Sequence, residues 1–215
     1  RWIAVACASP GPLRGTSSAP VATYSRPTTP IPIDPAIVGI APGITQYRSR
    51  TQASAVRTAT LGNPRAALHV VLPTGSGKSL VGLAPGILRS TGTTVVVVPT
   101  IALALDQERA THSTYPATDL PDELAYYGDR SDGGKERILQ RIRAGTQRVV
   151  FTSPEAFVGP LASPLRSLAS SGGLTSVVVD EAHLIRSWGL DFRPEYQIVG
   201  SLVSELRAAA IAAEH

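Results

Sequence analysis

The sequence predicts an α/β fold, a parallel β-sheet with helices on both faces. Three observations carry that expectation. Short apolar, β-branched runs recur at 66–72, 94–98, 148–152 and 176–179. Stretches of helical pattern lie between them, near 101–110 and 134–144. The residues best suited to chemistry fall just past the runs, where open α/β sheets place their ligands.

Residues 1–43 come first and look different. Eight of the eighteen prolines lie before residue 43, mixed with Ser, Thr, Gly and Ala. Such a composition has few ways to build a periodic core. The segment is expected to be a linker or the tail of an upstream domain, which the short apolar piece Trp2-Ile3-Ala4-Val5-Ala6 would suit. The domain proper is expected over 44–215.

A helix expected at 51–60 leads to the run 66–72, which reads as a strand buried on both faces. It ends in Leu72-Pro73-Thr74-Gly75-Ser76-Gly77-Lys78-Ser79. Gly75 and Gly77 let the backbone curl tightly around a phosphate. Pro73, Thr74 and Ser76 complete the loop, whose successive N–H groups point inward. The helix starting near Lys78 adds the positive end of its dipole. Lys78 would bridge phosphates as a point charge, and the Ser79 hydroxyl would ligate Mg²⁺. The chain has eighteen Arg and only two Lys, Lys78 and Lys135. A lysine kept in this loop suggests that the larger guanidinium fork does not serve there.

The runs 94–98, 124–127 and 148–152 continue the alternation with helical stretches. The last run, 176–179, ends at Asp180-Glu181-Ala182-His183. Asp180 would hold the metal, directly or through a water. Glu181 would orient and deprotonate an attacking water. His183 would sense the terminal phosphate. Acids also simply favour helix starts, so this reading depends on Lys78 upstream. A final helix is expected at 196–214.

Net charge is +4 and the isoelectric point is near 9.6, compatible with a nucleic-acid partner without demanding one. In the basic stretch 135–143, Ile138, Leu139 and Ile142 share one helical face, so its charges read as a solvated face. The single Cys7 allows no internal disulfide, and no Cys/His cluster suggests zinc. No run approaches the ~18 apolar residues of a membrane span. A cytoplasmic protein with no membrane partner is the expectation.

Leu72 stands where the strict phosphate-loop motif has glycine. That departure argues against GTPases and adenylate kinases and suits the helicase variant Pro-Thr-Gly-x-Gly-Lys-Ser. The segment Ser187-Trp188-Gly189-Leu190-Asp191-Phe192-Arg193-Pro194-Glu195-Tyr196 resembles the aromatic-rich loop of RecQ-type superfamily 2 DNA helicases, which follows an Asp-Glu-Ala-His box as here. The resemblance covers about residues 44–205. It implies a RecA-like P-loop lobe that binds ATP and Mg²⁺ and works on single-stranded or partly duplex DNA. It also implies that Trp188, Phe192 and Arg193 contact DNA or relay its presence; exposed aromatics stack on bases whatever their sequence. Otherwise the two aromatics are core residues.

Other segments resemble the same family. Residues 95–107 look like a strand ending at a DNA-backbone contact, which implicates Pro99 and Thr100; residues 149–155 do the same for Ser153 and Pro154. Tyr47-Arg48-Ser49-Arg50-Thr51-Gln52 resembles the adenine-recognition motif, which implies that Arg48 stacks on adenine and Gln52 reads its edge. The glutamine stands five residues after Tyr47 rather than four, and Ile44 occupies the place of a second aromatic. A complete motor of this family has a second RecA-like lobe, absent here with its coupling motif. The chain is therefore expected to be the first lobe of a longer protein, in the bacterial cytoplasm or nucleoid. An RNA-dependent or duplex-translocating ATPase and a non-hydrolysing nucleic-acid-binding module are the alternatives. Repair and recombination are among the pathways that use such motors.

Overall fold

The structure, a computed structural model, describes residues 2–7, 30–63, 66–182 and 195–213. Six parallel strands form one sheet in the order β4-β1-β8-β5-β7-β6. These are β1 (Trp2–Cys7), β4 (Ala67–Leu72), β5 (Thr93–Val97), β6 (Ala125–Tyr126), β7 (Val149–Thr152) and β8 (Leu174–Val179). A small antiparallel pair, β2 (Ile31–Pro32) and β3 (Gln46–Tyr47), stands apart.

Side chains alternate across the pleat, and the alternation divides the core in two. Val96, Val98, Phe151 and Val178 face one side, with helices α1 (Pro35–Ile40), α2 (Arg50–Leu61), α3 (Lys78–Ile87) and α4 (Ile101–Thr114). Val95, Val97, Val150, Val177 and Val179 face the other. There they meet α5 (Asp132–Arg143), α6 (Pro154–Val158), α7 (Ala162–Ser170) and α8 (Glu195–Ala212). β5 and β7 are buried along their whole length, as expected for parallel strands covered on both faces. A Cβ built at Gly86 would lie 2.0 Å from Thr94 Oγ1, so only glycine lets α3 approach β5 this closely.

The α/β architecture expected from the sequence is present. Ile138 and Ile142 of α5 are fully buried and Leu139 is partly so, while Arg137 faces outward. Two features differ from expectation. Residues 159–172, rich in Ser, Gly and Pro, include α7, whose Leu165 and Leu168 pack on α8 and the sheet. The boundary expected at residue 44 also differs from the structure. β1 lies inside the sheet, with Trp2–Cys7 in register against Ala67–Leu72 on one side and Trp2–Ala4 against Val177–Val179 on the other. Ile33, Ile37 and Ala41 belong to the core beside α2 and α3. The reason is local. Six apolar residues suffice for a strand when two neighbours offer ladders, and the prolines fall outside those six.

Candidate functional site

β4 delivers the phosphate loop to the C-terminal edge of the sheet. Leu72 is fully buried and anchors it. Ser76 donates to the Pro73 carbonyl from both N–H and Oγ, at 3.2 and 2.6 Å. Gly75 and Gly77 have φ of +76° and +79°, a region costly for residues with a Cβ. Gly77 has a second requirement: a Cβ there would stand 2.2 Å from Gln52 Nε2. α3 begins at Lys78, so its positive end faces the loop.

β8 delivers the acids to the same edge. The Asp180 N–H donates to the Val97 carbonyl at 2.9 Å and extends the ladder with β5. Asp180 Oδ1 accepts from the Glu181 N–H at 2.9 Å. Glu181 has φ +49°, an uncommon setting for a non-glycine residue. Its carboxylate lies 3.3 Å from Lys78 Nζ, with the two side chains 14% and 26% exposed. Thr74, Gly75, Lys78, Ser79, Asp180 and Glu181 line one cavity of about 360 Å³. Two stretches separated by 103 residues thus meet in one place.

Gln52 and Arg48 approach the loop from α2 and its lead-in. Gln52 is 3% exposed. Its Oε1 accepts from the Arg48 N–H at 2.7 Å, and its Nε2 donates to the Gly77 carbonyl at 3.0 Å. Ser49 caps α2 by accepting from the Gln52 N–H at 3.0 Å. The Arg48 guanidinium donates to the Gly75 carbonyl. Arg48 and Gln52 thus both reach the loop backbone, at the Gly75 and Gly77 carbonyls. A second cavity of about 490 Å³ adjoins the first, sharing Arg48, Gly77, Ser79, Leu83 and Gln107.

Sequence reasoning missed the support beneath this region. The Tyr47 hydroxyl donates to Asp34 Oδ2 at 2.7 Å, and Arg57 donates to both Asp34 oxygens at 3.0 and 2.7 Å. Arg57 also lies over the Tyr47 ring, 5.7 Å from its centroid. The Arg57 bonds hold the Asp34 carboxyl below its usual pKa. Burial, with Asp34 adjacent, pushes the Tyr47 hydroxyl up to about 12. Residues 34, 47 and 57 are linked only in three dimensions. On the other flank, Glu108 of α4 accepts from the Leu124 and Ala125 N–H groups, both at 2.5 Å, and from Arg130 at 2.9 Å.

The remaining candidates divide in two. Thr100 and Ser153 cap α4 and α6, accepting from the Leu103 and Ala156 N–H groups at 3.2 and 3.3 Å. Pro99 and Pro154 are their neighbours. β5 and β7 are adjacent, so these two helix starts lie side by side on the edge that carries the phosphate loop. His183, Trp188, Phe192 and Arg193 lie outside the described residues.

Among the described residues there is no cluster of three His, Cys, Asp or Glu able to hold a metal alone. Mg²⁺ commonly takes one or two protein oxygens and completes its shell with phosphates and water. Ser79 and Asp180 supply such oxygens in one cavity.

With this geometry in hand, comparison with known proteins gives a family. The model for "DEAD/DEAH box helicase" matches residues 49–213. The chain belongs to the DEAD/DEAH box helicase family. The rat protein "ATP-dependent DNA helicase Q5" is 33% identical over 168 residues, 78% of this chain and 17% of that protein. Mouse "Bifunctional 3'-5' exonuclease/ATP-dependent helicase WRN" is 37% identical over 139 residues, 64% of this chain and 9% of that protein. Xenopus laevis "RecQ-like DNA helicase BLM" is 31% identical over 67% of this chain and 10% of that protein. These relatives bear out the RecQ-type resemblance. This DEAD/DEAH box chain spans about a sixth of the first relatives' length. Among solved structures, the DUF1998 helicase MrfA bound to DNA superposes with a TM-score of 0.62 at 24% identity, covering 84% of this chain and 26% of that one. That likeness speaks to the RecA-like fold. MrfA bound to DNA and AMPPNP gives 0.57 at 27% identity, covering 75% of this chain and 23% of that one.

Proposed function

We propose that this DEAD/DEAH box chain is the ATP-binding lobe of an ATP-dependent DNA helicase, coupling ATP hydrolysis to movement on single-stranded DNA and duplex unwinding. The observation that carries the proposal is the shared cavity in which Lys78 and Glu181 face each other across 3.3 Å. A triphosphate entering there competes for Lys78. The ammonium then exchanges one carboxylate for phosphate oxygens, and Glu181 is released toward a water. Ser79 and Asp180 would hold Mg²⁺, which neutralises charge on the phosphates. His183 follows the acid pair and would sense the terminal phosphate.

DNA as the track is supported by the relatives' names and by the paired starts of α4 and α6. Helix N-termini attract phosphate through their dipoles and unpaired N–H groups. Pro99, Thr100, Ser153 and Pro154 would follow the DNA backbone there. Trp188, Phe192 and Arg193 would stack on bases and report their presence. A second lobe of the same full-length protein would close the site. No described helix is long and apolar enough to cross a membrane, and the proposed location is the cytoplasm or nucleoid.

The test is ATP turnover by the full-length protein with single-stranded DNA, duplex DNA and RNA. Stimulation by single-stranded DNA is expected, falling at least about 100-fold in Lys78→Ala and Glu181→Gln. DNA-stimulated turnover persisting in both variants rejects the proposal. Stronger stimulation by RNA or duplex replaces it with a different track.

A further inference from the structure

We infer that Asp34, Tyr47 and Arg57 are positioning residues for the nucleotide: they fix where Arg48 lies, and Arg48 meets the part of the ligand beyond its phosphates. The inference rests on the nucleotide reading above and deepens it.

Arg48 sits at a bend. β3 ends at Tyr47, α2 begins at Arg50, and only Arg48 and Ser49 lie between. The angle between strand and helix therefore decides where the Arg48 side chain reaches. Asp34 grips this bend from both sides. Its carboxylate accepts from the Tyr47 hydroxyl, immediately before Arg48, at 2.7 Å. It also accepts twice from Arg57, farther along α2, at 2.7 and 3.0 Å. The Arg57 guanidinium lies over the Tyr47 ring as well, so strand and helix are joined directly and through Asp34.

The grip replaces a local bond. Asp34 is the N-cap of α1, where an aspartate ordinarily accepts from an N–H of the first turn, yet its side chain makes no cap bond. The carboxylate is turned instead to two residues distant in sequence. Tyr47 is 3% exposed, and a buried hydroxyl needs a partner. The Arg57 and Asp34 side chains are 50% and 34% exposed, and an ion pair so exposed adds little to the stability of a fold. Its larger effect falls on what it aims. Arg48 borders both cavities. A nucleotide with its phosphates at the loop passes Arg48 on the way to the second cavity, whereas phosphates alone rely on Lys78 and Ser79.

The experiment measures binding of magnesium-bound ATP and magnesium-bound tripolyphosphate to the 215-residue chain, with the melting temperature of each variant. Tyr47→Phe and Arg57→Gln each cut one arm of the grip. Both should weaken ATP about three- to ten-fold, leave tripolyphosphate near its wild-type affinity, and lower the melting temperature by no more than about 4 °C. Arg48→Ala should weaken ATP at least as much. Added to Arg48→Ala, neither substitution should weaken ATP further, because its effect runs through Arg48. Arg57 is half exposed, so Arg57→Gln carries the test if Tyr47→Phe loses the fold. Unchanged ATP affinity, equal losses for both ligands, or losses that add to that of Arg48→Ala overturn the inference and leave nucleotide binding standing. A wild-type chain that binds no tripolyphosphate overturns the nucleotide reading and the inference with it.

Discussion

Gly77 carries two demands at once, a left-handed backbone at φ +79° and room for Gln52. Alanine there meets both costs. The backbone term is about 1 kcal/mol, and the contact forces Gln52 off the loop. Gly77→Ala is expected to abolish tripolyphosphate binding, measured by titration calorimetry. The obstruction is the end of a flexible side chain, so adding Gln52→Ala should restore part of the affinity. No recovery in the double variant would show that backbone strain alone decides the outcome. That Lys78, Ser79, Asp180 and Glu181 meet in one cavity was legible in the sequence, because each pair follows a run that reads as a buried parallel strand and so falls on one edge of the sheet. The Gln52–Gly77 bond was not legible, because it joins a helix start and a loop 25 residues apart, and side-chain reach across that gap is a property of packing.

At the scale of elements, α5 is tied to the lead-in of β6 by charge. Glu123 accepts from Arg137 and from Arg141, the latter at 2.7 Å. These bonds, Arg137 first, pull its carboxyl down to about 2. A lowered carboxylate pKa stabilises the fold above the unfolded value, near 4.5, and that stabilisation disappears as pH falls toward about 2. Glu123→Gln should therefore lower the melting temperature at neutral pH and flatten its dependence on pH below about 4.5. Arg137 is 56% exposed, so solvent screening keeps the loss small. An unchanged melting curve between neutral pH and pH 3 would mean that the pair contributes nothing. α5 was readable from its apolar spacing, since Ile138 and Ile142 repeat at a helical interval. α7 was hidden because its Ser, Pro and Gly neighbours mimic a loop, and only burial against α8 reveals its apolar face.

At the scale of the molecule, the sheet depends on a strand from the chain's first residues. β1 separates β4, which carries the phosphate loop, from β8, which carries the acid pair. Removing residues 1–7 should detach β4 from the sheet, lower the melting temperature sharply and abolish nucleotide binding. A truncated chain that still binds tripolyphosphate with wild-type affinity would show that β4 and β8 pair directly instead. The Pro-rich surroundings concealed this strand, because local composition says nothing about a ladder offered from far along the chain.

The same placement has a kinetic consequence. Trp2 pairs with Ala67 on one side and with Val177 on the other, so the sheet closes only after distant segments have met. Pairings of such long sequence separation slow folding and leave bare strand edges open to intermolecular association in the meantime. Refolding from denaturant should have a late, concentration-sensitive phase, in which the phosphate loop and the acids come together only as β1 slots between their strands.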